Sequence, residues 1–404
     1  MLVKHLIPAL AAIGSAAAQS RTCTVSTTTI QSQAEATELA GCQTVSGTVV
    51  IGSEAAGSIQ LNGPEVITGG VTVRNNSRIE TVSSDTIERI EGAFTLNDLS
   101  LLRSVSFSAL TTVQSISWIS VGVLNSATLG PLTTADEVIL SDTFLEDLSA
   151  FNLRTVRRFD VNNNRRLQSV DLQFSTIEEN LNIKDNGLEL EVSLPNLIWV
   201  AEMAIANASS FSAPLLRTVN GTASFDQNLF ETFSLPNLTS TQTGDISFVS
   251  NGNLNNLTFP VLTTIGGGLL IANNTQLARL TAFPRLEEVG GAVKLRGSFD
   301  EISFPALDLV AGAFDAASTN DISESCEALA PLAPRDEGGE GHVRGTYACS
   351  SDVENANEDT SSETSDGDNG TDGGDGDDEN SAAGVALNTA LFGLVAVAAI
   401  ASAL

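Results

Sequence analysis

The stretch TFPVLTTIGGGLLIANNTQL, residues 258–277, joins three consecutive glycines to an apolar run. A glycine-rich turn beside a buried strand can cradle a phosphate when Lys and Ser/Thr follow it and a helix begins. Neither the basic residue nor a helix start follows these glycines. The sequence therefore predicts that this stretch is not a phosphate-binding loop.

Histidine, a common catalytic base and zinc ligand, is scarce in this sequence. The 404 residues include two, His5 and His342, and His5 falls in a leader described below. Ser/His/Asp hydrolysis, multi-histidine zinc sites and the usual histidine acid–base chemistry are thus nearly excluded. The formal net charge of -30 argues against nucleic acid and anionic membrane surfaces as partners.

Apolar pairs two residues apart recur along the chain every 20–24 residues. Such a pair is typical of the inward face of a short strand, and a fixed period of this length indicates a solenoid. We therefore predict an all-β solenoid with about 22 residues per coil. The pairs are Val49/Ile51, Val71/Val73, Phe94/Leu96, Ile116/Trp118, Val138/Leu140, Phe159/Val161, Leu181/Ile183, Met203/Ile205, Ala223/Phe225, Ile246/Phe248, Leu269/Ile271 and Val293/Leu295.

Proline and glycine keep the phase of the repeat. Proline, which lacks the N–H of a sheet ladder, is expected at a strand start or corner, and the phased residues are Pro195, Pro214, Pro236, Pro260, Pro284 and Pro305. Glycine two residues before the pair predicts a corner with positive φ or close backbone packing, at Gly69, Gly92, Gly221, Gly244, Gly267, Gly291 and Gly312. Residues 114–160 lack this glycine, which suggests a bend between two lobes.

A short helix is predicted before the first coil. Ser32 and Glu35 have the spacing of a capping box, and Gly41 is a stop signal. Ala34 and Leu39 are expected to face inward, so that the helix covers the end of the apolar column.

Both ends of the chain have the composition of processing signals. Residues 1–18 are predicted to be a secretory signal peptide, with a buried N-terminal helix as the alternative. Residues 381–404 are typical of a glycosylphosphatidylinositol (GPI) anchor signal, with attachment at Asn380 or, as second choice, Ser381. A transmembrane helix is the alternative there, although the apolar run is short and has no basic flank.

The segment before the anchor signal, residues 352–380, is rich in Asp and Glu and has no Lys or Arg. Such a run repels itself and buries no core, so we predict a disordered stalk. The GGDGDDEN stretch resembles a calcium-binding repeat, but such sites need stacked copies. The ectodomain is therefore predicted to span residues 19–351.

The four cysteines, Cys23, Cys42, Cys326 and Cys349, lie outside the paired strands. Three pairings are possible in an oxidised secreted chain. We expect Cys23–Cys42 and Cys326–Cys349, one staple at each end of the solenoid. A metal site is the alternative, and the distant spacing without histidine does not favour it.

Sequons for N-glycosylation are frequent, and we predict partial use at Asn75, Asn207, Asn220, Asn237, Asn256, Asn273 and Asn369. Asn75, Asn207 and Asn273 share one repeat position, two residues after the strand pair. That position is either an exposed corner with a glycan or an internal asparagine ladder. Because other coils place Asp there and unpaired buried Asp is costly, the corner is favoured.

The signal peptide, the cysteines at the two ends, the FPxLxxV coils, the NGT and NNT sequons, the acidic stalk and the anchor signal occur together. In this combination the chain resembles the fungal GPI-anchored cell-wall organisation proteins related to the yeast sporulation-specific family. The resemblance implies a right-handed β-helix of the leucine-rich-repeat or receptor L-domain type. It also implies a surface glycoprotein needed for wall integrity, with no catalytic residue to carry over.

Three functions are compatible with these features. The first is a non-enzymatic surface protein whose partners are wall polysaccharide, other wall glycoproteins and, through the lipid anchor, the outer leaflet of the plasma membrane. The second is a carbohydrate-active enzyme using Asp142, Asp160 and Asp185 on successive coils, although solvated surface is the commoner role of such residues. The third is an adhesin or ligand-binding ectodomain. We favour the first, and assign no catalytic residue, cofactor or metal.

Overall fold

The computed structural model describes residues 22–334 and 342–360. They form a parallel β-solenoid of about 14 turns, which confirms the predicted fold class. The predicted signal peptide, residues 361–380 of the predicted stalk and the anchor signal lie outside the described residues.

The predicted apolar pairs lie on one 21-stranded parallel sheet, which we call the main sheet. Neighbouring coils pair in the predicted register, as in Ile246 opposite Leu269 and Leu269 opposite Val293. The paired side chains point into a continuous apolar core. The strands are Thr22–Ile30, Thr44–Ile51, Val66–Ile67, Val71–Arg74, Arg89–Asn97, Thr112–Val121, Glu137–Thr143, Thr155–Asn162, Thr176–Lys184, Trp199–Ala206, Thr218–Val219, Ala223–Asp226, Ser240–Thr241, Ile246–Val249, Thr264–Ile265, Leu269–Ala272, Glu288–Val289, Val293–Gly297, Leu309–Val310, Phe314–Ser318 and Tyr347–Ser350.

The opposite side of the solenoid consists of short parallel strands in smaller sheets. The phased prolines follow these strands at the next turn, as Pro195 does, which agrees with the expected corner. The short strands are Gly57–Gln60, Ile79–Ser84, Ser104–Phe107, Ser126–Leu129, Ser169–Asp171, Glu191–Ser193, Ser210–Ser212, Thr232–Ser234, Asn256–Thr258, Arg279–Leu280 and Glu301–Ile302.

The phased glycines stack on one another between coils. A Cβ added to Gly267 would lie 2.6 Å from the carbonyl carbon of Gly244, and one on Gly291 would lie 2.8 Å from that of Gly267. These distances are shorter than real Cβ contacts, so close backbone packing explains the glycines. The glycine triplet at residues 266–268 is therefore one layer of this stack.

The main sheet runs without interruption through residues 114–160, where the sequence suggested a bend. The irregularity lies on the short-strand side. There, one small sheet ends at the strand Ser126–Leu129, and the next begins at the strand Ser169–Asp171. The coil between these two strands contributes only an isolated bridge, from Asp147 to Ser169.

A short helix and a disulfide lie at each end of the solenoid. The first helix, α1 (Gln33–Glu38), continues as a 3-10 turn over Leu39–Gly41, and the second, α2 (Ser323–Leu329), continues over Ala330–Leu332. The disulfides join Cys23 to Cys42 and Cys326 to Cys349, the pairing that was expected. The second helix was not predicted from the sequence.

The inward face of α1 includes Ala36 where the sequence predicted Ala34. Ser32 caps the helix as expected, with its Oγ accepting the Glu35 N–H. However, Ala34 is exposed, and the prediction that it faces inward is wrong. Ala36 is buried instead, because it stands three residues before Leu39 and so lies on the same helix face.

Candidate functional site

In ten of the twelve coils with a predicted strand pair, the chain turns sharply two residues after the pair. The residue there adopts a left-handed conformation, with φ of 51° at Asn75, 60° at Asn207 and 53° at Asn273. The same conformation recurs in other coils, at Asp98, Asp142, Asn163 and Asp185. Asn and Asp tolerate this conformation better than other residues with a Cβ, which accounts for their recurrence. The shared sequon position is therefore a corner of the solenoid.

The asparagine ladder also exists, one residue further along each coil. Asn251 Nδ2 donates to the Phe225 carbonyl at 2.9 Å, and Asn251 Oδ1 accepts the Asn228 N–H at 2.8 Å. Asn274 repeats both bonds one coil later. The ladder residues are buried, and they are Asn164, Asn186, Asn228, Asn251 and Asn274. Asn76 is buried at the equivalent position, but its Oδ1 accepts the Arg78 and Ile79 N–H groups of its own turn. The exposed corner and the internal ladder, which were alternatives for one sequence position, thus occupy two adjacent positions, as at Asn273 and Asn274.

The remaining described sequons lie at other corners and on the short-strand side. Asn220 stands at the glycine corner and Asn237 in a proline turn, where its Nδ2 donates to the Pro214 carbonyl at 2.7 Å. Asn256 begins a short strand. Glycosylation at any of these positions stays a prediction, and Asn369 lies outside the described residues.

One surface of the solenoid has none of these sequons among the described residues. It consists of the outward side chains of the main-sheet strands that follow the glycine corner, and we call it the outer face. Small and polar residues dominate its central coils. They include Ser117, Ser141, Asp160, Asn162, Asn182, Lys184, Ser224, Asp226 and Ser247.

Asp160 is the centre of a hydrogen-bond network on this face. Its Oδ1 accepts from Asn162 Nδ2 at 2.8 Å and from Asn182 Nδ2 at 2.9 Å. Its Oδ2 accepts from Arg158 Nη2 at 3.0 Å, and Ser141 Oγ donates to Asn162 Oδ1 at 2.6 Å. Both Asp160 oxygens are therefore engaged, as in a structural carboxylate.

Burial destabilises the charged form of two further carboxylates, Asp226 on the outer face and Asp245 at the glycine corner. Burial raises the pKa of Asp226, although hydrogen bonds from Ser224 and Ser247 and the charge of Lys184 act in the opposite direction. Burial also raises the pKa of Asp245, which receives the Gly268 N–H at 2.6 Å. Partly desolvated carboxylates of this kind bind hydroxyl donors well, because few water molecules compete for their oxygens.

The carboxylates considered for catalysis do not share one surface. Asp142 and Asp185 lie at left-handed corners, whereas Asp160 lies on the outer face. Within residues 22–334 and 342–360, no group of three or more potential metal ligands is present. In the same part of the chain, no helix is long and apolar enough to cross a membrane.

Comparison with known proteins identifies a fungal cell-surface family. A family model described as "Ecm33: GPI-anchored cell wall organization protein" matches residues 1–40. The chain is 34% identical over 350 residues to protein ecm33 of Aspergillus fumigatus, an alignment that covers 86% of this chain and 85% of that protein. The chain belongs to this family. No solved structure matches it.

Two further relatives are also fungal proteins. The chain is 30% identical to a cell surface GPI-anchored protein of Arthroderma benhamiae, over 86% of this chain and 87% of that protein. It is 34% identical to Sporulation-specific protein 2 of Saccharomyces cerevisiae, over 73% of this chain and 59% of that protein. Family membership makes the chain a GPI-anchored cell-wall organisation protein of the fungal cell surface.

Sequence reasoning missed two features of this family member. The ladder had a signal, since Asn-Asn and Asp-Asn pairs follow several strands, but the pattern does not say which residue of a pair faces inward. The second feature is a contact between Lys294, Arg296 and Asp359, which join distant parts of the chain. No local pattern indicates it.

Proposed function

We propose that the solenoid is a non-enzymatic scaffold that presents its outer face to wall polysaccharide or to other wall glycoproteins. The observation that carries this proposal is the distribution of the sequons, since the described ones lie at corners and on the short-strand side. Glycans at those positions would cover the other surfaces and leave the outer face accessible.

The chemistry of the outer face fits a hydroxyl-rich, uncharged partner. Amides, hydroxyls and carboxylates recur on successive coils, and parallel strands about 4.8 Å apart bring them into rows. Among them, the half-buried Asp226 can accept hydrogen bonds from sugar hydroxyls. A polyanionic polysaccharide is disfavoured by the formal net charge of -30.

Attachment to the membrane is proposed at Asn380, with Ser381 as the second choice. Cleavage of residues 1–18 and 381–404 would leave the solenoid on a stalk at the outer leaflet of the plasma membrane. The proposal for glycans covers Asn75, Asn207, Asn220, Asn237, Asn256, Asn273 and Asn369.

Retention of the purified full chain on insoluble wall glucan, chitin and mannan tests the scaffold proposal. We expect retention on one polymer without release of soluble sugar. Asp226→Ala should weaken retention about tenfold, equivalent to about 1.4 kcal/mol, whereas Asp171→Ala on the short-strand side should not. If the unmodified chain releases soluble sugar and Asp160→Asn or Asp142→Asn abolishes the release, the protein is an enzyme and the scaffold proposal is wrong.

A further inference from the structure

The outer face is covered at its C-terminal end by the chain itself. After the last strand of the main sheet, residues 352–360 turn back across the two preceding coils, and we call them the strap. The Val353 N–H donates to the Ser318 carbonyl at 2.9 Å. Asn357 Nδ2 donates to Ser298 Oγ at 2.6 Å. The described structure therefore extends past residue 351, where the sequence placed the start of the stalk.

Two cations lie beneath the strap. The side chains of Lys294 and Arg296 are 1% and 6% exposed. Lys294 Nζ lies 2.9 Å from Asp359 Oδ2, and Arg296 Nε lies 3.2 Å from the same oxygen. Arg296 is also paired with Asp315 of the next coil. The strap thus contributes a carboxylate to a buried ammonium group.

This arrangement differs from the rest of the outer face. In the other described coils, the positions equivalent to Lys294 and Arg296 never both carry a cation; in the coil of Ile246, for example, they are Ser247 and Val249. A buried ammonium group that loses its carboxylate partner is strongly destabilising. Two basic residues at one buried point of an acidic chain therefore indicate a site built for a carboxylate.

We propose that Lys294 and Arg296 form a binding site for an extended acidic peptide, and that the strap occupies it as a releasable cover. Asp359 is 36% exposed, so water and salt reach the ion pair from the rim. Release of the strap would uncover the outer face of the last coils.

Hydrogen exchange of the full chain, followed by mass spectrometry, tests the closed state. Asp359→Asn completes an Asn-Thr-Ser sequon with Thr360 and Ser361, so every chain is produced in a host that adds no N-glycans. Under these conditions Asp359→Asn should speed exchange in residues 352–360 at least tenfold. Glu354→Gln should have no effect, because the Glu354 side chain is exposed and makes no hydrogen bond within the described residues. About 1 M salt, where the Debye length is about 3 Å, should speed exchange in the unmodified chain and not in Asp359→Asn.

Lys294→Met provides a second variant that leaves no buried ammonium group behind. It should release the strap to the same extent while the coils beneath keep their slow exchange. Equal strap exchange in the unmodified chain, Asp359→Asn and Lys294→Met would overturn the proposal.

A synthetic peptide with the sequence of residues 351–360 tests whether the site binds in trans. The labelled peptide should bind the full-length Asp359→Asn variant at least ten times more tightly than the unmodified chain, whose own strap fills the site. The same peptide carrying Asp359→Asn should not bind. Equal binding of the two peptides would contradict a carboxylate site.

Discussion

At the scale of single residues, the buried asparagines explain how irregular turns stack in register. Each ladder amide satisfies a backbone carbonyl and a backbone N–H of the preceding coil, groups that the turn would otherwise leave without partners. The corner residue before it has a left-handed φ, which reverses the direction of the chain. This is why Asn273 faces the edge while Asn274 faces the core.

Removing one ladder side chain should therefore be costly. Asn251→Ala leaves the Phe225 carbonyl and the Asn228 N–H buried without these bonds, at about 1–3 kcal/mol for each group. We expect a loss of roughly 3 kcal/mol in the free energy of unfolding, measured by denaturant titration. Asn255→Ala, on the exposed side of the same turn, is the matched control. Similar losses from both variants would refute the ladder role.

Asp245 should make stability depend on pH. Because burial raises its pKa, the folded state binds the proton more tightly than the unfolded chain does, and ionisation destabilises the fold. Asp245→Asn, produced in a host that adds no N-glycans because the change completes an Asn-Ile-Ser sequon, should raise Tm at pH 7. The difference should vanish below about pH 4, where Asp is protonated in both states. Asp171→Asn, at an exposed position, should leave Tm unchanged, and an unaltered Tm in Asp245→Asn would oppose the argument.

At the scale of elements, the repeat could be predicted because inward pairs and corner glycines recur with one period. Leu269 and Ile271 identify their strand, and Gly267 identifies the corner before it, because each has equivalents in other coils. Elements without equivalents in other coils could not be predicted in this way. The helix α2 occurs once, and the burial of Lys294 depends on residues 352–360, whose composition alone indicates a solvated stalk.

The glycine stack gives a prediction at this scale. In Gly267→Ala, the new Cβ would lie 2.2 Å from Asp245 Oδ1 and 2.6 Å from the Gly244 carbonyl carbon, so adjacent coils must separate. We expect a loss of roughly 1–3 kcal/mol in the free energy of unfolding. Gly252→Ala, with no atom within 4 Å of the new Cβ, should be neutral or slightly stabilising. Equal effects would argue against backbone stacking.

At the scale of the whole molecule, the solenoid separates its surfaces by task. Corners and short strands offer glycan sites, the two ends are closed by helices and disulfides, and the outer face is left for a partner. The position of this face follows from the period of two in each strand, so the sequence predicts which residues point outward. It does not predict that the chain covers one end of the face.

We propose that the outer face makes the contact on which wall organisation depends. A glycan placed there should block it, and Lys184→Thr creates an Asn-x-Thr sequon at its centre, with Asn182 as the acceptor. Glu191→Asn is the control, because it creates a sequon at the start of a short strand, the place that Asn256 occupies in a later coil.

The most direct measurement is growth, on a wall-binding dye, of a deletion strain expressing either variant, with glycan addition confirmed by mass. We predict that Glu191→Asn restores resistance and that Lys184→Thr does not, although both proteins reach the surface in equal amounts. Full rescue by Lys184→Thr with Asn182 glycosylated would contradict the claim.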